Sequence, residues 1–208
     1  MPTTDRELLQ AWAEGDQASG QTLVKRHLGA LYGFFRNKLD GEIDDIVQRT
    51  FLGCIEALTS FRHDASFRTF LFAIARNKLL MELRSRYRRP EHVDGSTESV
   101  FDLGCDGEPS LPRSMDGRRE QILLLRALRR LPIDDQIALE LFYWEGLSSR
   151  EIGDVLERPD ATVRTQLRRA RLRLESLIDT LSPDASLATS TTDGFDLWVD
   201  RVRDAMRG

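Results

Sequence analysis

Proline is missing from the whole span between Pro2 and Pro90. That absence removes the strongest helix stopper and leaves room for several uninterrupted helices. Cysteine is scarce: Cys54 falls in an apolar helical pattern and Cys105 in a polar segment, with no CxxC and no Cys/His spacing suited to zinc. Neither a disulfide framework nor a metal module is expected, and a reducing cytoplasm is the simplest setting. Histidine occurs only as His27, His63 and His92, scattered, and the chain has no phosphate-binding glycine loop and no nucleophile motif. An enzyme therefore finds little support, and no catalytic residue, metal or cofactor is expected. No apolar run approaches the roughly 20 residues that span a bilayer. The N-terminal MPTTDRELLQAW lacks a basic flank followed by an apolar stretch. Membrane insertion and export are not expected.

What is present is helical. With 208 residues, 40% hydrophobic and 31% charged, the chain suits one large domain or two small ones, each with a modest core of its own. From Thr4 to about Arg89 apolar residues recur at helical spacing. Thr4 and Glu7 have the form of a capping box, Gly15 and Asp16 break the first helix, and a second runs to about Leu39. After a turn at Asp40 and Gly41, a third helix carries IDDIVQRTFLGCIEAL and a fourth carries FRTFLFAIARNKLLMELRSRYRR. Phe67, Phe70, Leu71 and Ile74 are its expected core positions.

Residues 91–117 change character. Seven acids face only Arg113, and Gly, Ser and Pro interrupt every element, which predicts a flexible acidic linker. Helical periodicity resumes at Arg118 and lasts to about Leu181, with Phe142 and Trp144 among the expected core residues. Past Leu181 a loop precedes a last amphipathic pattern. Asp193 caps it, and Phe195, Trp198, Val199, Val202 and Met206 form a stripe expected to fold back on the chain.

An acidic chain of formal charge −4 nevertheless gathers Arg164, Arg168, Arg169, Arg171 and Arg173 into one run that holds no acid between Asp160 and Glu175. Ser148 and Glu151 form a second capping box, so a helix starts at Ser149 and runs through Leu156. Glu157, Arg158 and Pro159 stop it and Asp160 is placed to cap the next. There Val163, Leu167, Ala170 and Leu174 form a buried stripe, with Ala161, Thr165, Arg168 and Arg169 on the far side, flanked by Arg164 and Arg171. Two short helices joined by a tight turn, the second with an unneutralised arginine face, suit a reading helix in the major groove. In the fourth helix aromatics stand beside Arg68, Arg76, Asn77, Lys78 and Arg84, a mixture suited to single-stranded DNA.

With LRRLPIDDQIALELFYWEGLSSREIGDVLERPDATVRTQLRRARLRL, IDDIVQRTFLGCIEAL and SFRTFLFAIARNKLLMELRSRYRR, the chain resembles the extracytoplasmic-function RNA polymerase sigma factors, small members of the sigma-70 class. The resemblance implies an all-α fold of two small helical domains, the C-terminal one a helix-turn-helix, followed by a tail helix. It divides the chain into region 2 at 1–90, the linker at 91–117, region 4 at 118–181 and an extension at 182–208. It implies a cytoplasmic protein that binds core RNA polymerase and promoter DNA, with an anti-sigma factor as a further partner. Minus-thirty-five contacts fall on Arg164, Thr165, Arg168, Arg169 and Arg171. Minus-ten contacts fall on Arg62, His63, Asp64, Ala65, Ser66, Asn77 and Lys78, and core-polymerase contacts on Asp44, Asp45, Val47, Gln48 and Phe51. Gly153, Glu157, Phe70 and Met81 depart from the family's usual Ala, Gly, Trp and Asp. The alternative is a helix-turn-helix regulator that binds duplex DNA unaided, which leaves the second basic, aromatic surface unexplained.

Overall fold

The computed structural model describes residues 4–58, 65–87 and 118–181, and within them the chain is helical throughout. The first half holds α1 (Asp5–Ala13), α2 (Gln17–Arg36), α3 (Asp44–Ala57) and α4 (Phe67–Tyr87). The second holds α5 (Arg118–Arg129), α6 (Ile133–Tyr143), α7 (Ser149–Leu156) and α8 (Asp160–Leu181). The acidic linker and the amphipathic tail lie outside the described residues.

Local signals set the helix starts. Thr4 N–H donates to Glu7 Oε2 (2.7 Å) while Glu7 N–H donates to Thr4 Oγ1 (3.3 Å), so the expected capping box opens α1. Asp16 accepts from Ala18 N–H (3.0 Å) at the start of α2, and Ser66 accepts from Thr69 N–H (3.1 Å) at the start of α4. The Ser148–Glu151 box opens α7 at the residue its spacing predicts. Asp160 differs from expectation. It is already the first helical residue of α8, the Pro159 carbonyl takes the Thr162 and Val163 N–H groups, and Asp160 Oδ1 accepts from Ser149 Oγ (2.5 Å). That bond joins the starts of α7 and α8 and helps to fix the angle between them.

The turn between α7 and α8 holds two departures from the family pattern and accounts for one of them. Glu157 closes α7 in the left-handed region (φ 56°, ψ 44°), and Arg158 N–H returns to Gly153 O (2.9 Å). This tight return lays the Arg158 carbonyl oxygen 2.6 Å from where a Cβ on residue 153 would stand. Gly153 is therefore required by close approach, whereas glutamate at 157 is strained by about 1–2 kcal/mol. Glu157→Gly is expected to raise stability by about 0.5–1 kcal/mol, the entropy of a more mobile unfolded chain offsetting part of the gain. Gly153→Ala is expected to lower it by about 1–3 kcal/mol through overpacking. Urea unfolding of both variants checks this, and a less stable Glu157→Gly protein would remove strain as the explanation.

The halves do not keep separate cores. One apolar cluster runs from Leu9, Phe35 and Phe72 in α1, α2 and α4 to Ile133, Ile137 and Ile152 in α6 and α7. A second joins Leu124, Leu128 and Leu139 of α5 and α6 to Ala170, Leu174 and Ile178 of α8. Every residue from Ile133 to Leu141 is buried, so α6 is the common wall of both clusters. Phe142, expected in the core, is 43% exposed, and Tyr143 and Trp144 are only partly covered against the second cluster. In α4, Phe67 and Leu71 are buried, Phe70 and Ile74 pack partly exposed at its edge, and Phe72 is fully enclosed.

Candidate nucleic-acid interface

The α8 arginine face is built as its periodicity predicts. Val163, Ala170 and Leu174 point into protein, Leu167 is partly buried, and Ala161, Arg164, Thr165, Arg168 and Arg169 are exposed. Arg164 reaches back to Asp160 (3.3 Å) and the half-buried Arg171 pairs with Glu175 (3.0 Å). Arg168 and Arg169 form no ion pair among the described residues and stand one turn before exposed Leu172. Arg173 is different in kind, because its Nη1 donates to Asp135 Oδ2 (2.8 Å) and so ties α8 to α6. Gln166, which interrupts the apolar stripe, is also inward: it donates to Asp135 Oδ1 (2.9 Å) and accepts from Arg158 Nη1 (2.8 Å).

On α3 the expected polymerase-binding residues divide. Asp44, Asp45 and Gln48 are exposed, whereas Val47 and Phe51 are buried and hold the helix against its core. The residue preceding α3 is Ile43, which offers no side-chain cap, so the two aspartates do not serve as caps. Asp44 accepts from the Tyr32 hydroxyl and Asp45 pairs with Arg49 (2.8 Å). One turn on, Leu52 and Ile55 are 48% and 46% exposed, extending the acidic face with an apolar one that charge reading alone did not find.

Of the expected minus-ten residues, Arg62, His63 and Asp64 lie outside the described residues. Ala65 is half-buried and Ser66 exposed before α4, while exposed Asn77 and half-buried Lys78 lie about 16 Å further along it. The start of α4 is engaged by the second half of the chain. Arg68 Nη1 donates to Glu145 O (2.6 Å). The Glu151 carboxyl is held below its usual pKa mainly by the Ser148 backbone N–H, with Arg68 and Ser66 adding to the effect against partial burial. His27 is structural: its Nε2 lies 2.7 Å from Asp5 Oδ2, its ring packs on Phe67, and burial holds its pKa below the usual value although Asp5 opposes the shift.

A set of polar contacts, most of them between the halves, went unread in the sequence. Buried Lys38 donates to Glu140, and Arg76 reaches Asp134 Oδ1 through Nε (3.3 Å) and Nη2 (3.2 Å). Asp134 Oδ2 takes Arg158 Nη2 (2.7 Å). Arg129 caps the C-terminal end of α2, donating to Arg36 O (3.1 Å), Asn37 O (3.1 Å) and Asp40 Oδ1 (2.8 Å). The available signal was an arginine in the apolar register of α4 together with Asp134, Asp135, Gln136 and Glu140 in a largely apolar α6.

Residues 23–89 match the Sigma-70 region 2 family and residues 121–174 match Sigma-70, region 4. The ECF RNA polymerase sigma-E factor of Escherichia coli K12 is 31% identical over 183 residues, covering 86% of this chain and 96% of that protein. The chain belongs to the ECF sigma factors of the sigma-70 class. The sigma-E factor of Haemophilus influenzae is 29% identical over 184 residues, covering 86% of this sigma factor and 97% of that one. The structure of CnrH in complex with the cytosolic domain of CnrY superposes with a TM-score of 0.62 at 28% identity, over 86% of this chain and 99% of CnrH. The sigma factor RpoE of Bartonella quintana, solved with the anti-sigma factor NepR, shares the fold with a TM-score of 0.59 at 23% identity, over 78% and 98% of the chains. A region 2 match in the first half decides against a stand-alone regulator. As a sigma factor the chain is a transcription-initiation protein, and none of its described helices is long and apolar enough to cross a membrane.

Proposed function

We propose that this sigma factor directs promoter-specific initiation through three surfaces, each drawn from a different helix. Arg164, Thr165, Arg168 and Arg169 of α8 read the minus-thirty-five duplex, with Arg171 at the flank on phosphate. The observation that carries this reading is the exposed guanidinium pair of Arg168 and Arg169, without an ion pair among the described residues, on a helix whose opposite face holds buried Val163, Ala170 and Leu174. Asp44, Asp45 and Gln48 of α3, with Leu52 and Ile55 beside them, form the surface for core polymerase, where an acidic rim with an apolar centre suits a basic helical partner. Arg62, His63, Asp64, Ala65 and Ser66 hold the opened minus-ten strand, and Asn77 and Lys78 follow it along α4. The role is one of binding and strand opening, not of bond chemistry. It is carried out in the cytoplasm with the polymerase, and an anti-sigma factor is the expected antagonist.

Transcription reconstituted from core polymerase, this protein and a promoter library tests the assignment, because a stand-alone regulator confers no specific start sites on core enzyme. Within that assay Asp45→Arg is expected to weaken core binding by a factor on the order of ten or more, through like-charge contact, with helix content unchanged. Equal pull-down of core enzyme by wild type and variant would place the docking helix elsewhere.

A further inference from the structure

We infer that Asp135 of α6 is a positioning residue for promoter reading: by holding Gln166 and Arg173 it sets the rotation of α8, and with it which upstream base pairs the exposed arginines prefer. The inference rests on the minus-thirty-five reading of α8 made above.

The carboxylate of Asp135 is occupied at both oxygens by the same helix. Oδ1 accepts from Gln166 Nε2 (2.9 Å) and Oδ2 from Arg173 Nη1 (2.8 Å). Gln166 and Arg173 stand two turns apart, about 10 Å along α8, so one group on α6 fixes both the rotation of that helix and its slide. The contacts of Val163, Ala170 and Leu174 do not do this alone, because burial of apolar surface has no direction, whereas a hydrogen bond weakens steeply when bent. The amide oxygen of Gln166 is also used. It accepts from Arg158 Nη1 (2.8 Å), and Arg158 Nη2 donates to Asp134 Oδ2 (2.7 Å), which keys the turn before α8 to the same end of α6. Gln166 is 4% exposed and Asp135 8%, so a displaced partner finds little water in exchange.

The ties lie beside the reading face rather than behind it. Arg169 follows Gln166 by three residues and precedes Arg173 by four, which makes it the surface neighbour of both. Arg168 lies farther round the helix. Of these two exposed arginines, Arg169 is thus the one whose approach to a base the ties govern most directly. Directed contacts need their support held to within about 10–20°. A helix turned by more than that presents the same charge to DNA in a different alignment, so loss of a tie changes base preference without removing a contact to DNA. Gln166 separates the two effects, since its side chain is buried and turned towards α6.

Holoenzyme reconstituted with full-length variants tests this, on duplexes that differ by single base pairs in the upstream element and at several salt concentrations. Circular dichroism monitors folding. Gln166→Met, Arg173→Met and Asp135→Asn, the last leaving one acceptor for two donors, are each expected to shift preference at least several-fold at the position where Arg169→Ala flattens it. The salt dependence of binding is expected to stay near its wild-type slope. If Gln166→Met or Asp135→Asn loses helix content, Arg173→Met decides, since that side chain is 56% exposed. An even change of affinity across all duplexes, or none, overturns the positioning role. With a salt slope shallower by about one, an even loss makes Arg173 a phosphate contact, and with the slope unchanged it leaves the tie as support for the fold. Arg168→Ala and Arg169→Ala on the same duplexes show which statement has failed. If either alters preference while the tie variants do not, the reading stands and the positioning role falls; if neither does, both fall.

Discussion

Asp134→Ala is expected to lower the free energy of unfolding by about 3–5 kcal/mol, the scale observed when one partner of a buried ion pair is removed. Asp134 divides its carboxylate between two guanidiniums: Oδ1 takes both Nε and Nη2 of Arg76 from α4, and Oδ2 takes Nη2 of Arg158 from the turn before α8. Asp134 and Arg76 are both nearly inaccessible to water, so alanine leaves Arg76 without its carboxylate in a place where solvent cannot substitute. Asp134→Asn keeps acceptor geometry at one oxygen and is expected to lose less than the alanine variant. Urea unfolding of the full-length protein measures both, with the exposed Asp45→Arg variant as a reference expected to remain near wild type. A loss below about 1 kcal/mol for Asp134→Ala would show that water reaches Arg76 after all.

Arg169→Ala is expected to reduce promoter binding by about 1–3 kcal/mol if its guanidinium makes a bidentate contact with a base, and to flatten preference at one upstream position. The measurement is holoenzyme affinity for a series of duplexes that differ by single base pairs in the upstream element, at fixed salt. Indistinguishable base preferences in wild type and variant would remove Arg169 as a reader. Its neighbours serve as contrasts. Arg171, already bound to Glu175, is expected to change affinity weakly and evenly across sequences. Arg173 is no neutral control, because its bond to Asp135 makes its loss a change in the support of α8 rather than in its outer surface.

The burial pattern of α8 and the starts of α1 and α7 are legible in the sequence because the information there is local. Capping boxes at Thr4 and Ser148 act over three residues, and the stripe of Val163, Leu167, Ala170 and Leu174 follows from helical geometry alone. Gln166 and Arg173 defeat the same reasoning. Both are polar residues on a charged helix, and only Asp135 on α6 shows that one of them points inward and the other is tied down. Burial of Val47 and Phe51 was likewise not legible: apolar side chains on a helix of mixed face are buried first, and the exposed apolar pair on α3 is Leu52 and Ile55. The largest gap is α6. Asp135 finds its partners within the second half, on α8, but Asp134, Gln136 and Glu140 are buried against Arg76 of α4 and against Asn37 and Lys38 just past the end of α2. Pairing at sequence separations of 58 and 102 residues leaves no periodic trace.

The shared wall formed by α6 sets a condition on handling the molecule in quantity. Ile133, Ile137 and Leu141 belong to the cluster that the first half completes, so a chain whose halves have parted carries a freshly wetted apolar strip, with Lys38, Arg76 and Glu140 parted from their charged partners across the halves. The first half of a second copy fits that strip as well as the chain's own does. Between α4 and α5 lie residues 88–117, enough to reach at most about 100 Å when stretched, so nothing in chain length prevents reciprocal exchange of halves between two molecules. Dilute samples are expected to favour self-closure through its high effective concentration, and size-exclusion chromatography of warm, concentrated ones is expected to show exchanged dimers that keep native helix content.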